Sequence, residues 1–362
     1  MVQQIRPSGL EKQGFRNLVY NGDMMVHQRG GTKQVTTSDA YVLDGFGVET
    51  RTDSYDATWS QSTTVPAGQG FKYSLKCDVN GTATPSGSGN YLLRHCIEDN
   101  LLQHLDIGNA NAKDITISFW VRSSKTGTYC FQIRDFPATD HALVEYTISS
   151  ADTWEHKVIT IAGNTGGNMT LVGNAGYDLH WHLAVGPDDQ TSATSNAFAD
   201  NSSNLFKATS NQVNLFDSAT AEWYITGVQF EVGNQASEFE HVPRDVQLAR
   251  CQRYFFRSGG NTAYELSGVG VVTVNNRLTI NVNHPVPMRA GPGLTVNNVG
   301  NFRIGVGAQS DAANSIALDV SGINTSMVNC NQAGTDYTTG HAGRLINENN
   351  TNASLDLSAE FG

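Results

Sequence analysis

The feature that most narrows how this chain can fold is a strict two-residue alternation that recurs along it. In residues 114–123 (DITISFWVRS), Ile115, Ile117, Phe119 and Val121 share one face, and Thr116, Ser118, Trp120 and Arg122 share the other. In residues 71–79 (FKYSLKCDV), Phe71, Tyr73, Leu75, Cys77 and Val79 alternate with Lys72, Ser74, Lys76 and Asp78. In residues 179–185, Leu179, Trp181, Leu183 and Val185 alternate with His180 and His182. A period of two is that of a half-buried β-strand. Further strands are expected at 17–29, 41–50, 56–62, 129–134, 144–148, 154–161 and 223–232, while 91–105 reads as either strand or short helix. By spacing, 114–123 and 129–134 read as a hairpin around Gly127, and 144–148 with 154–161 as a second pair. No long helical pattern intervenes. The fold expected is all-β: a jelly-roll β-sandwich followed by a short helix and a second, smaller β-sandwich domain.

A chain of 362 residues favours two domains. The division expected is an extended N-terminal arm at 1–16, a jelly roll at 17–240, a connecting helix at 241–254 and a C-terminal β-domain at 255–362. The junction is the stretch 221–257, AEWYITGVQFEVGNQASEFEHVPRDVQLARCQRYFFR. It opens as a strand whose core side is either Tyr224, Thr226, Val228 and Phe230 or the complementary set Trp223, Ile225 and Gly227. Pro243 suits a first helical turn, and Asp245 complements the positive helix end. Beyond it, strands are expected at 264–274, 277–282, 302–307, 315–321, 325–330 and 353–360, with an irregular edge where Pro285, Pro287 and Pro292 cluster. Residues 191–218, rich in Ser, Asn, Thr and Ala, read as a long surface loop suited to partner contacts.

Composition excludes several function classes. With a formal charge of −11 and only 16% charged residues, the chain lacks the clustered Lys and Arg that nucleic-acid binding needs. The first residues, MVQQIRPSGLEKQGF, are polar and do not read as a signal peptide. No apolar run approaches the ~18 residues that span a membrane, so no membrane insertion is expected. Cys77, Cys96, Cys130, Cys251 and Cys330 form no C-x-x-C pair and read as buried, reduced thiols.

Catalytic motifs are absent: there is no G-x-S-x-G, H-E-x-x-H or P-loop. Glu98, Asp99, Asp135, Asp140, Glu145, Asp188 and Asp189 supply carboxylates, but nothing in their spacing pairs two for glycoside cleavage. His180 and His182, with Asp178, share a strand face in a spacing that could place two imidazoles on one metal, yet no third ligand follows. The alternatives for that face are an exposed or carbohydrate-facing polar strand and a pair satisfied by local hydrogen bonds. A sugar ring stacks on Trp or Tyr while neighbouring polar groups read its hydroxyls. Trp120 with Arg122 is therefore the leading glycan-contact pair, with Tyr129, His180 and His182 behind it. A core or interface role for Trp120 stays open. Trp181 reads as core.

The phrase GVQFEVG…SEFEHVPRDVQLARCQRYF (227–255) resembles one found in virion proteins of tailed bacteriophages. Three further phrases agree in order: NLVYNGDMMVHQRG at 17–30, PVPMRAGP at 285–292 and the acidic tail at 355–361. The resemblance implies a non-enzymatic virion appendage, tail fibre or head fibre, assembled in the host cytoplasm. It implies an arm that anchors to other virion proteins through Arg6, Leu10 and Phe15, a homotrimer, and contact with host surface polysaccharide or protein. A decoration or adaptor protein without a receptor role is the alternative, and a polysaccharide depolymerase a more distant one. The NGD motif also resembles the first strand of jelly-roll carbohydrate-binding modules. On that resemblance Asp23 and Glu231 are candidates for a structural calcium, though a calcium site takes six to eight oxygens. No other cofactor is expected.

Overall fold

The computed structural model describes residues 15–136, 140–167, 169, 172–192, 194–199, 206–260 and 262–361. Arg6 and Leu10 lie outside them. The chain divides into two compact units, the first ending at Val242 and the second beginning at Pro243.

The first unit is a jelly-roll sandwich. Its strands in chain order are β1 (Thr32–Val35), β2 (Ala40–Leu43), β3 (Phe46–Arg51), β4 (Asp56–Ser62), β5 (Ser74–Gly81), β6 (Asn90–Glu98), β7 (Ile115–Ser123), β8 (Gly127–Asp135), β9 (His141–Ile148), β10 (Glu155–Ile161), β11 (Ala175–Val185), β12 (Gln190–Thr191), β13 (Ser195–Ala199), β14 (Ala208–Thr209) and β15 (Glu222–Val232). One sheet runs β1-β4-β5-β15-β7-β10, and the facing one β13-β9-β8-β11-β6-β3-β2. Between them the alternating apolar sets interdigitate. Trp59, Trp181, Trp223, Phe119, Phe131 and Phe230 are all fully buried. Phe119 meets Trp181 edge-on at 5.8 Å, and Trp59 meets Trp223 at 6.3 Å. Edge-to-face rings at such spacing gain beyond their buried area.

Four local expectations change. Neither expected hairpin pairs within one sheet. β7 and β8 lie in different sheets, as do β9 and β10; β8 pairs with β9, and β10 with β7. A tight turn serves equally to carry the chain across a sandwich, and Ser123 and Tyr129 face each other there, hydroxyl to hydroxyl at 3.1 Å. Residues 17–29 are not a strand. Asn17 and Asn21 take over the hydrogen bonding that a ladder would supply. The Asn17 Nδ2 donates to the Val228 carbonyl at 2.9 Å, and its Oδ1 accepts from the Phe230 amide at 3.0 Å. Asn21, at φ +57°, bridges Val26 and Asp44. The two candidate phases of β15 are each half right. Its register shifts between Thr226 and Gln229, so Trp223 and Ile225 and then Val228 and Phe230 reach the core. The bulge centres on Gly227, at φ +63°. Finally, the expected loop at 191–218 is partly structured. Its described residues hold β12, β13, β14 and a 3-10 turn at Leu215–Asp217, and Leu215 and Phe216 are fully buried.

The second unit opens with helix α1 (Arg244–Gln252), which starts directly after Pro243. Ten strands follow: β16 (Phe255–Gly259), β17 (Leu266–Val274), β18 (Arg277–Asn283), β19 (Gly293–Asn297), β20 (Phe302–Val306), β21 (Gln309–Ala312), β22 (Ser315–Ser321), β23 (Thr325–Asn331), β24 (Ala342–Asn347) and β25 (Ser354–Ser358). They form a three-stranded sheet, β16-β25-β19, and a seven-stranded one, β21-β20-β24-β17-β18-β23-β22. Leu278, Ile280, Phe302, Ile304, Val328, Leu345, Leu355 and Leu357 are among the residues of this unit's own core. The Pro-bracketed segment 285–292 holds no strand. All five cysteines are buried, and none forms a disulfide.

Gly227 offers a test of the bulge. A Cβ there would lie 2.6 Å from the Phe71 ring and 3.1 Å from the Trp120 ring, on a backbone that L-residues seldom adopt. Gly227→Ala is expected to destabilise the protein by about 1–3 kcal/mol, read as a lower urea midpoint at unchanged slope.

Candidate functional site

Alternation leaves each sheet of the first unit with an outward face, and the expected glycan residues divide between them. On β7, Trp120 and Arg122 project outward together, as expected. The register then brings in neighbours from other strands: His156 of β10 lies opposite Trp120, and Tyr224 of β15 lies opposite Arg122. The half-buried Trp120 ring meets the exposed His156 ring at 5.0 Å, inclined by 33°. The Arg122 guanidinium sits 4.9 Å above the centroid of Tyr224. It donates to Asp152 through Nε and a terminal nitrogen, each at 2.9 Å. Trp154 packs on the same Tyr224 at 6.1 Å. Lys76 completes the cluster with ion pairs to Asp78 at 2.6 Å and Glu222 at 2.9 Å. The result is a half-buried indole packed on an imidazole, beside a guanidinium already aligned by a carboxylate. Such a surface can stack an apolar ring face and hydrogen-bond its rim. His156, Trp154 and Tyr224 were missed in the sequence. Trp154, just before β10, and His156 within it share a parity, but nothing local says that β10 lies beside β7.

Tyr129 does not belong to this surface. It is fully buried, facing the core, with its hydroxyl donating to the Lys125 carbonyl at 2.9 Å. A Tyr whose hydroxyl is satisfied inside costs nothing to bury, so the expectation of glycan contact fails for it.

His180 and His182 do share a face, on β11 in the opposite sheet, but neither is open to solvent: they are 5% and 0% exposed. Residues 206–213 lie over this face. Gln132 Nε2 donates to the Phe206 carbonyl at 2.7 Å, Gln212 Nε2 to the His182 carbonyl at 3.1 Å, and the Cys130 amide to Gln212 Oε1 at 2.7 Å. Beneath, Arg94 pairs with Asp178 at 2.7 Å, His180 Nε2 lies 3.1 Å from the same carboxylate, and His180 Nδ1 lies 3.2 Å from Gln132 Oε1. Burial alone would raise the Asp178 carboxyl, but the charges and hydrogen bonds of His180 and Arg94 outweigh it and hold it at about 2. Burial pushes His182 well below the ordinary histidine value, aided by His180, Lys207 and His141.

The two metal candidates, Asp23 and Glu231, are both buried. Glu231 spends its oxygens on the protein: it accepts from Gln229 Nε2 at 2.9 Å, the Ser237 amide at 2.9 Å and the Ser237 hydroxyl at 2.5 Å. Asp23 is buried, and burial raises its carboxyl above the ordinary range. Among the described residues no group of three or more His, Cys, Asp or Glu is arranged to hold a metal. Of the expected anchoring residues, Phe15 is described and is 43% exposed. No helix among the described residues is long and apolar enough to cross a membrane.

No protein-family model matches the chain, and no curated protein matches it. Among solved structures it is similar to an enzymatically active domain of bacteriophage CBA120 tailspike protein 4, at 12% identity and a TM-score of 0.32, over 60% of this chain and 21% of that one. It is also similar to a family 11 carbohydrate-binding module from Clostridium thermocellum, determined with a β-1,3-1,4-mixed-linked tetrasaccharide, at 11% identity and a TM-score of 0.29, over 57% of this chain and 98% of that one. The module TmCBM61, determined with β-1,4-galactotriose, is similar at 10% identity and a TM-score of 0.29, over 61% of this chain and 100% of that one.

The Asp178 cluster predicts a signed pH dependence. The folded value of Asp178 lies below its ordinary 3.8, so its stabilisation is complete above that value and is lost as pH falls towards about 2. His182 acts in the same direction: its folded value lies below 6.5, so stability declines as pH falls below 6.5 and the unfolded chain takes up a proton. Asp178→Asn is expected to cost about 3–5 kcal/mol at neutral pH, because Arg94 is left buried without its partner. It is also expected to flatten the acid limb below about pH 4, measured by urea unfolding across a pH series.

Proposed function

We propose that the chain is a non-enzymatic appendage subunit of a tailed-phage virion, a tail-fibre-like protein that touches host-surface glycan through the outward face of the β1–β10 sheet. The observation that carries glycan contact is the Trp120 ring, half-buried and flanked by His156 and the pre-aligned Arg122. An aromatic held this way loses little entropy on stacking a sugar. What supports the virion setting is the ordered set of phrases at 17–30, 227–255, 285–292 and 355–361. Self-association belongs to the same reading. The second unit exposes Leu266 at 54%, Val269 at 58%, Val271 at 42%, Val320 at 53% and Met327 at 37%, all on its seven-stranded sheet. A trimer covering such residues would also multiply weak glycan contacts into avidity.

The test is binding of purified full-length protein to intact candidate host cells and to their isolated surface polysaccharide. Trp120→Ala is expected to weaken binding about tenfold or more while leaving the melting temperature within a few degrees, because the ring is not part of the core. Arg122→Ala is expected to act in the same direction. Binding that survives both substitutions sinks this face as the contact surface. A wild-type protein that binds no host surface favours a decoration or adaptor role.

A further inference from the structure

The segment 206–213 covers an ionisable sheet face whose charges are balanced for one protonation state. His182 is fully buried, and among the described residues neither of its ring nitrogens has a hydrogen-bond partner. The groups around it come from every element packed there. On β11 itself lie His180, whose ring centroid is 5.9 Å away, and Asp178. β6 supplies Arg94, β8 supplies Gln132 and Arg134, β9 supplies His141 and Glu145, and the covering segment supplies Lys207, which pairs with Asp189 at 2.9 Å. The carboxylate nearest the histidines, Asp178, already serves both Arg94 and His180. Glu145 is held by the covering segment: it accepts from Asn211 Nδ2 at 3.0 Å and from the Thr209 hydroxyl. Among the described residues a proton added to His182 would have no acceptor, and the carboxylates around it, Asp178, Glu145 and Asp189, are engaged by other groups; a buried charge left without its own partner is strongly destabilising.

The cover is held mainly by polar contacts. Its one fully buried apolar anchor is Ala208, which packs on Cys130, Leu143 and Val185. The rest is hydrogen bonds, among them the Lys207 amide to the Asp189 carbonyl at 2.8 Å and the Val213 amide to the Thr128 carbonyl at 2.9 Å, the ion pair of Lys207 with Asp189, and a short parallel pairing of β14 with β12. The sandwich core lies on the other side of the sheet and does not depend on these bonds.

We propose that residues 206–213 form an acid-released strap, seated while His182 is neutral and lifted when His182 takes up a proton, which uncovers the row Arg94, Asp178, His180 and Gln132 to solvent. This device is independent of the Trp120 face, and its failure would leave that reading untouched.

Hydrogen–deuterium exchange of the full-length protein, corrected for the intrinsic pH dependence of exchange, tests it at neutral pH and at about pH 5, within the range where histidines titrate. The amides of Lys207, Thr209, Ser210 and Val213 are expected to lose protection by about tenfold or more in acid, while β4 and β5 keep theirs. In His182→Phe, a ring of similar size with no proton site, that acid response is expected to vanish. Thiol labelling of the wild type supplies a readout that needs no variant. A pyridyl disulfide, which reacts in acid, should label Cys130 beneath the strap at about pH 5 and spare the core thiol Cys77. A strap that stays protected in acid, one that opens only together with β4 and β5, or an acid response that persists in His182→Phe would each overturn the proposal.

Discussion

The bulge at Gly227 governs the rest of the first unit. β15 sits inside its sheet between β5 and β7, and its side chains are buried on both faces along most of its length. A regular strand would have kept one parity in the core throughout. The extra residue at Gly227 changes parity midway, so that Trp223 and Ile225 pack at one end and Val228 and Phe230 at the other. Outside the core, the same inserted residue, lacking a Cβ, makes room for the Trp120 and Phe71 rings. Phe71 in turn packs on Phe239 at 5.0 Å and on His241 at 5.3 Å, so the outward aromatic surface continues past the bulge. One backbone irregularity thereby sets both what fills the sandwich and what decorates its outside.

The strands themselves were legible. Alternation in 114–123 and 71–79 identified β7 and most of β5, because each turns one apolar parity into the core and a period of two is a local signal. Which sheet each strand joins was not legible, because a turn at Gly127 looks the same whether it folds the chain back onto its neighbour or across the core. Parity also failed where a second layer lies outside the sheet. His180 and His182 alternate with apolar residues as exposed groups would, yet 206–213 covers them, and the Ala, Thr, Ser and Asn of that segment give no hint of what they cover. Tyr129 shows the reverse error. Its ring carries a polar end, but that end is satisfied by Ser123 and Lys125, and no sequence rule separates such a Tyr from a surface one. Gly227 did leave a trace: a lone glycine within a strand pattern signals a bulge or a close approach, and here it marks both.

The two outward faces of the sandwich treat their polar groups in opposite ways. On the Trp120 side, charges are paired near solvent and the rings stay partly open, so the surface is ordered without being sealed. On the His182 side, comparable chemistry is sealed beneath chain, and its electrostatics are those of a low-dielectric interior, where an unpaired proton matters far more.

The Asn17 clamp has a consequence for how the protein is made. Its two bonds to β15 join positions 211 and 213 residues apart. At roughly 5–20 residues per second, the ribosome needs on the order of 10–40 s to deliver the receiving strand after Asn17 has been joined to the chain. Until then Leu18, Val19 and Met24, all core residues of the finished sandwich, lack the β15 side chains Val228 and Phe230 that share that core. The nascent chain therefore carries this apolar stretch without its closing strand through that interval. The first unit closes only when its last strand emerges, which makes the closing step late, non-local and dependent on whatever shields that stretch in the meantime.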